Sequence, residues 1–122
     1  MSITYNRTAP LFIQIADTIR RDILNGTYSP NEQIPTVRGL AFNVSANPNT
    51  VQKALSLLED EGLLYTKGTA GRFVTSDPTL LEATRKRVKS EAMEALMQES
   101  ESLGITRADI MSYINEKEDN TK

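Results

Sequence analysis

The sequence has 122 residues, of which 39% are hydrophobic and 25% charged, and its net charge at pH 7 is −2. It contains no Cys and no His, so it offers no thiolate nucleophile, no disulfide, no cysteine metal site and no histidine general base. These absences exclude most enzyme mechanisms, and we expect no catalytic site, no metal and no cofactor.

The first strong pattern is a helix over residues 9–26. Pro10 suits the start of this helix, and Gly26 suits its end. An apolar stripe at helical spacing indicates its buried face: Leu11, Ile15, Ile19 and Ile23. We predict that Arg20 lies mainly on the solvent side. Turn-forming residues follow over 27–36, with a very short extended piece at Gln33–Ile34.

Two helices and a tight turn come next, over residues 36–57. Thr36 is suited to cap the first, short helix, and Asn47 and Pro48 are suited to begin the second. Only residues 45–47 separate them, and Gly62 stops the second helix. Two helices joined so closely predict a helix-turn-helix motif.

The apolar period changes from helical to alternating over residues 63–75, on both sides of the tip sequence GTAG. This pattern predicts a β-hairpin, which must pack on the helices because two strands alone are marginally stable. The order of elements is therefore typical of a winged helix-turn-helix domain over residues 1–76, with the hairpin as the wing. The predicted fold is mainly α with a small β-hairpin.

The sequence SDPT at Ser76–Thr79 marks the predicted domain boundary. Residues 77–122 then read as a tail of two helices, in which Thr106 and Asp109 match a capping box. An apolar stripe in the tail predicts a homodimer interface, because two helices cannot bury it alone: Leu81, Val88, Ala92, Leu96, Leu103, Ile110 and Ile114. The alternative is that this stripe packs on the winged domain of the same chain. The basic run 85–89 is better explained as a solvated face than as a second DNA contact.

The charge distribution favours the winged domain as the nucleic-acid-binding part. Residues 1–76 carry seven basic and six acidic side chains, whereas residues 77–122 carry seven basic and ten acidic ones. The chain has no apolar run long enough to span a membrane, and residues 1–6 lack the features of a secretory signal. We therefore expect a cytoplasmic protein that makes no membrane contact.

The second helix of the motif begins with hydrogen-bonding side chains on its exposed side, rather than a Glu/Lys mixture: Asn49, Thr50, Gln52 and Lys53. Amides pair with adenine bidentately, and the N-terminal residues of this helix read base edges in helix-turn-helix proteins. Lys67 and Arg72 flank the wing tip, where they suit phosphate contacts. Two alternatives stay open from the residues alone: an ordinary solvated helix, and a winged helix that contacts protein or RNA.

Residues 10–24 and 34–74 resemble the DNA-binding domain of GntR-type bacterial transcription regulators. The sequences NPNTVQKA and EGLLYTKG, together with the small tail, resemble the YtrA subfamily. The resemblance implies DNA contacts by Arg38 in the first motif helix and by matching positions in the second helix and the wing: Asn47, Asn49, Gln52, Lys67 and Gly71. Ser45 and Asn31 stand where the family usually has glycine.

The residues and the resemblance together predict a homodimeric, sequence-specific regulator, a repressor of transcription that binds double-stranded DNA. One subunit offers few phosphate contacts, and a second subunit on the same duplex raises the effective concentration of the first. The operator is then expected to be an inverted repeat with half-sites about 10 bp apart, or a multiple of that spacing. The sequence identifies neither the operator nor an effector ligand.

Overall fold

The computed structural model describes residues 9–120, so the prediction made for residues 1–6 lies outside the described part. Residues 9–120 form five helices and one antiparallel hairpin, which confirms the predicted mainly α fold with a small β-hairpin. The elements are α1 (Leu11–Leu24), α2 (Val37–Val44), α3 (Pro48–Asp60), β1 (Leu64–Thr66), β2 (Arg72–Val74), α4 (Pro78–Ser102) and α5 (Arg107–Asn120).

The hydrophobic core lies between α1, α2, α3 and the hairpin. Apolar residues spaced three and four apart on α1 and α3 face each other, as the helical period requires. The largest fully buried side chains are Ile15, Ile19, Leu40, Leu55, Leu58, Leu63, Val51 and Val74. The predicted stripe of α1 is therefore confirmed, with Leu11 partly buried at its end. This core fixes the position of α3 in the winged domain.

The turn between α2 and α3 has the geometry of a helix-turn-helix motif. The hydroxyl of Thr36 accepts a hydrogen bond from the Gly39 N–H at 3.1 Å and caps α2. Ser45 ends α2 in the left-handed conformation, with φ +54°, and Asn47 caps α3 by accepting from the Asn49 N–H at 2.8 Å. A serine in this conformation costs about 1 kcal/mol relative to the glycine usual in the family.

The hairpin is extended into a third strand position by the segment before α2. Leu64 pairs with Val74 and Thr66 with Arg72, and Gln33 forms a bridge to Phe73. The Ile34 N–H donates to the Arg72 carbonyl at 3.0 Å. The predicted extended piece at Gln33–Ile34 is thus the segment that joins the wing to α2.

Arg20 lies in the core layer, and the prediction that it faces solvent was wrong. It is only 8% exposed and donates to Glu61 through Nε at 2.9 Å and Nη2 at 2.5 Å. Its Nη1 donates to Asp17 at 2.5 Å. Arg20 follows Ile19 on the edge of the buried stripe, and Glu61 beyond the end of α3 supplies the partner that allows its burial.

The chain divides into two compact units, one ending at Arg85 and one beginning at Lys86, inside α4. The first unit therefore extends beyond the boundary predicted after Ser76. Leu80 and Leu81 pack against the core of this unit, and Arg85 Nη2 donates to the Leu24 carbonyl at 3.1 Å. Leu81, which was predicted in the dimer interface, is half-buried against the core of its own chain.

The second unit comprises the rest of α4 and α5. The Thr106 N–H donates to Asp109 Oδ2 at 2.9 Å, and the Asp109 N–H donates to Thr106 Oγ1 at 3.1 Å, so the predicted capping box is confirmed. The hydrogen bond from the Thr106 backbone, and then that from its hydroxyl, lowers the pKa of Asp109 below its ordinary value of 3.8. No helix within residues 9–120 has both the length and the apolarity that crossing a bilayer requires.

We expect this capping box to make the stability of the chain depend on pH in the acid range. Because the pKa of Asp109 is lower in the folded than in the unfolded chain, the stabilisation is complete above pH 3.8 and is lost as the pH falls through the folded pKa. Thermal unfolding followed by circular dichroism should give a higher unfolding temperature for wild type than for Asp109→Asn at neutral pH. The two unfolding temperatures should converge in acid. A difference that stayed constant with pH would contradict this.

Candidate nucleic-acid interface

The N-terminal half of α3 presents a polar face to solvent. Val51, Ala54 and Leu55 are buried on one side of the helix, and Asn49 and Lys53 lie exposed one turn apart on the other. The other predicted reading residues are Asn47 and Gln52, which are exposed, and Thr50, which is half-buried. The structure therefore brings the predicted reading residues of α3 together at one helix end.

Three side chains on this face already have partners that restrict how they can contact DNA. The oxygen of Asn47 is used in the helix cap, so its amide NH₂ is the group that can donate to a ligand. Gln52 Nε2 donates to Ser56 Oγ at 3.3 Å, along the helix axis. Lys53 Nζ lies 5.5 Å from the centre of the Phe12 ring, a cation–π contact that connects this polar face of α3 to α1.

Arg38 lies in the first turn of α2 and is exposed, as predicted. Helical spacing places it on the side of α2 opposite Leu40, Ala41 and Val44, which are buried. One turn further along the same side, Phe42 is 86% exposed. The apolar pattern of α2 excludes position 42 from the buried face, so the sequence contains the signal for this exposure.

The wing tip combines one exposed lysine with one sterically required glycine. Lys67 is exposed, and its N–H donates to the Gly71 carbonyl at 3.0 Å. Gly71 has φ +118°, and a Cβ there would lie 2.8 Å from Gln33 Nε2, which donates to the Ala70 carbonyl. Gly71 is therefore needed for the shape of the tip, and any DNA contact it makes is through the backbone.

Arg72 flanks the wing tip as predicted, but its side chain contacts α3. Its side chain is 20% exposed, and its Nε donates to Glu59 Oε1 in the last turn of α3. The sequence could not identify this partner, because Glu59, Asp60 and Glu61 are consecutive carboxylates of similar local pattern. The structure assigns Glu59 to Arg72 and Glu61 to Arg20.

These ion pairs set the electrostatics of the domain. Burial alone would lower the pKa of Arg20, but the hydrogen bonds and charges of Glu61 and Asp17 outweigh it and raise that pKa above its ordinary value. Two carboxylates at the C-terminal end of α3 are thereby paired with arginines of the same chain. The other end of α3 carries the positive end of the helix dipole, close to the exposed reading face.

The family model described as "Bacterial regulatory proteins, gntR family" matches residues 12–74, a range that contains α1, the motif and the wing almost completely. The chain belongs to the GntR family. GntR proteins are transcription regulators that bind DNA, and the family is not one of enzymes. The earlier resemblance is thus confirmed by a comparison that covers the whole winged domain.

Known relatives indicate the subfamily to which this GntR protein is similar. It is 31% identical over 111 residues to the HTH-type transcriptional repressor YtrA of Bacillus subtilis (strain 168), with 89% of this chain and 85% of that protein covered, which supports the YtrA subfamily. A GntR family transcriptional regulator from Listeria monocytogenes has 28% identity and a TM-score of 0.80, covering 92% of this chain and 98% of that one.

A third comparison concerns a relative of the winged domain with DNA bound. The structure of AraR(DBD) in complex with operator ORX1 has 26% identity and a TM-score of 0.56. It covers 62% of this GntR chain and 95% of the AraR chain. The comparison confirms the predicted winged helix-turn-helix fold.

The tail of this GntR protein brings together three of the residues predicted for the dimer interface. Leu96 on α4 and Ile110 and Ile114 on α5 line an open apolar groove of about 520 Å³. Two further lining residues, Ile105 and Tyr113, were missed by the sequence analysis. The other four predicted residues are not among those that line the groove: Leu81 and Val88 are half-buried, and Ala92 and Leu103 are exposed.

Proposed function

We propose that this GntR protein is a homodimeric repressor that binds an inverted-repeat DNA operator through α3 and the wing. The observation that carries the proposal is the exposed amide-bearing face at the N-terminus of α3. Asn49 and Gln52 lie there within one helical turn, on the helix that enters the major groove in this class of domain. Their amides can donate to and accept from adenine at once.

Three exposed cations of the winged domain can contact the DNA backbone. Arg38 on α2 and Lys67 on the wing are exposed, and Lys53 lies on α3 itself. Three such contacts per subunit give a modest affinity that falls steeply with salt. Two subunits on one duplex overcome this weakness, because binding of the first raises the effective concentration of the second.

The apolar groove of the tail supports dimerisation. Leu96, Ile105 and Ile114 expose 51%, 40% and 50% of their surface, and apolar side chains line most of the groove. A groove of this kind on a small helical unit is stabilised when a second copy covers it about a two-fold axis. The two-fold axis would then impose an inverted repeat on the operator. The Bacillus subtilis relative YtrA is a transcriptional repressor.

The operator can be obtained by selecting bound fragments from random duplex DNA, which reports both the half-site sequence and the half-site spacing. We expect Gln52→Ala to lose discrimination between this operator and a mutated half-site by about tenfold, because an amide contact to a base is removed. Arg38→Ala should instead weaken binding to all sequences and reduce the slope of log K against log salt by about 0.9. Fluorescence anisotropy at several salt concentrations measures both effects.

The two variants serve as controls for each other, since one changes base reading and the other changes backbone contact. Equal losses on operator and random DNA for Gln52→Ala would remove it from the reading residues. A protein that bound no duplex at low salt would overturn the proposed function as a whole.

A further inference from the structure

One ion pair connects the outer part of the wing to α3, the helix proposed to read DNA. Arg72 is the first residue of β2 and pairs across the hairpin with Thr66, directly beside the tip residue Lys67. Its guanidinium reaches Glu59 in the last turn of α3. The Arg72 and Glu59 side chains are 20% and 30% exposed, so the pair is sheltered from solvent on most sides.

The other connections of the hairpin lie at its base or on its opposite edge. At the base, the Leu63 N–H donates to the Leu58 carbonyl and the Thr75 N–H donates to the Leu63 carbonyl, at 3.0 and 2.9 Å. On the opposite edge, the Ile34 N–H donates to the Arg72 carbonyl, and Gln33 Nε2 donates to the Ala70 carbonyl at the tip. Two strands of three residues resist bending weakly. The bonds on the opposite edge tie the hairpin to the segment before α2, whereas the Arg72–Glu59 pair ties its outer part to α3.

We propose that Glu59 and Arg72 are positioning residues for DNA binding: their ion pair fixes the wing against α3, so that Lys67 and the reading face meet one duplex together. This inference rests on the proposed function. It assigns Arg72 to the support of the interface rather than to a phosphate. A preorganised wing raises affinity because less conformational freedom is lost when DNA binds.

A purely electrostatic role and a positioning role predict opposite effects of one substitution on operator affinity. Glu59→Gln removes a negative charge near DNA, which by charge alone should strengthen binding. If the pair positions the wing, the same substitution should weaken operator binding about threefold to tenfold, which lies within the range of coupling energies between neighbouring residues. The salt slope should stay at the wild-type value, because Lys67 still reaches its phosphate in the bound complex and only the conformational freedom lost on binding increases.

Asp60→Asn is the matched control for this test. Asp60 is exposed and adjacent to Glu59 in sequence, and the substitution changes the net charge by the same amount. We expect Asp60→Asn to bind the operator as tightly as wild type or slightly more tightly. Opposite changes in operator affinity for the two amide variants would therefore separate the loss of the ion pair from the loss of negative charge.

Exchanging the charges of Glu59 and Arg72 tests whether operator binding can be rescued, which would not be expected if Arg72 contacted a phosphate directly. Glu59→Arg and Arg72→Glu should each weaken operator binding at least about tenfold, and the double variant should recover most of the loss because the pair forms in reverse. Thermal unfolding of each variant shows whether it is folded, and Glu59→Gln keeps the test decisive if a reversed charge is not tolerated.

Three outcomes would overturn the positioning role while the proposed function stood. These are tighter binding by Glu59→Gln, a salt slope reduced by about 0.9 in Arg72→Gln, and additive losses in the charge exchange. A wild-type protein that failed to bind any duplex would instead count against the proposed function itself.

Discussion

Leu96→Asp is expected to give a protein that sediments as a monomer and binds a two-half-site operator at least about a hundredfold more weakly than wild type. Leu96 is 51% exposed and lines the apolar groove between α4 and α5. A carboxylate there would be buried without a partner if a second copy covered the groove. The loss in DNA affinity follows because each half-site would then be bound independently.

Gln98→Asp is the control for the added charge. Gln98 is exposed on the same helix and is not among the residues that line the groove, so this variant should remain dimeric and bind the operator like wild type. Analytical ultracentrifugation and binding to one-site and two-site duplexes measure both variants. A Leu96→Asp protein that kept the dimer mass would move the interface away from the groove.

Arg20→Ala is expected to lower the free energy of unfolding by about 2–4 kcal/mol, because it removes the guanidinium that neutralises a partly buried carboxylate. Arg20 is 8% exposed and donates twice to Glu61. Asp17 is more than half exposed and contributes little to this loss. Urea denaturation followed by circular dichroism gives the difference from the midpoints and slopes.

Arg21→Ala tests whether this effect belongs to burial rather than to the loss of any arginine from α1. Arg21 is the next residue along the helix and is exposed, so its substitution should change the free energy of unfolding by no more than about 0.5 kcal/mol. Similar losses for the two variants would mean that the Arg20–Glu61 pair contributes little to stability.

Local chemistry was sufficient to predict the winged helix-turn-helix and its turn. Thr36 and Asn47 cap their helices through their own side chains, and Pro48 begins α3. Each of these features depends on residues within a few positions of one another, so it can be recognised without knowledge of the fold. The same reason explains why the capping box of Thr106 and Asp109 was predicted correctly.

Pairings between distant residues could not be predicted in the same way. Arg20 and Glu61 are 41 positions apart, and helical spacing alone placed Arg20 on the edge of a solvent face. Leu81 fits the period of the tail stripe, yet it packs on the first unit because the beginning of α4 lies against that core. Neither contact could be read from the sequence, because a helix face has no assigned partner until the tertiary structure is known.

The small size of the hairpin has a consequence for how much sequence one subunit can inspect. Strands of three residues extend roughly 10 Å, so in the proposed complex the tip would reach only the DNA next to the bases under α3. A single subunit would therefore recognise a short word of DNA, which recurs by chance throughout a genome. Selectivity would then depend on the spacing and orientation of two such half-sites. An insertion of a few base pairs between them would abolish operator binding even though both half-site sequences are intact.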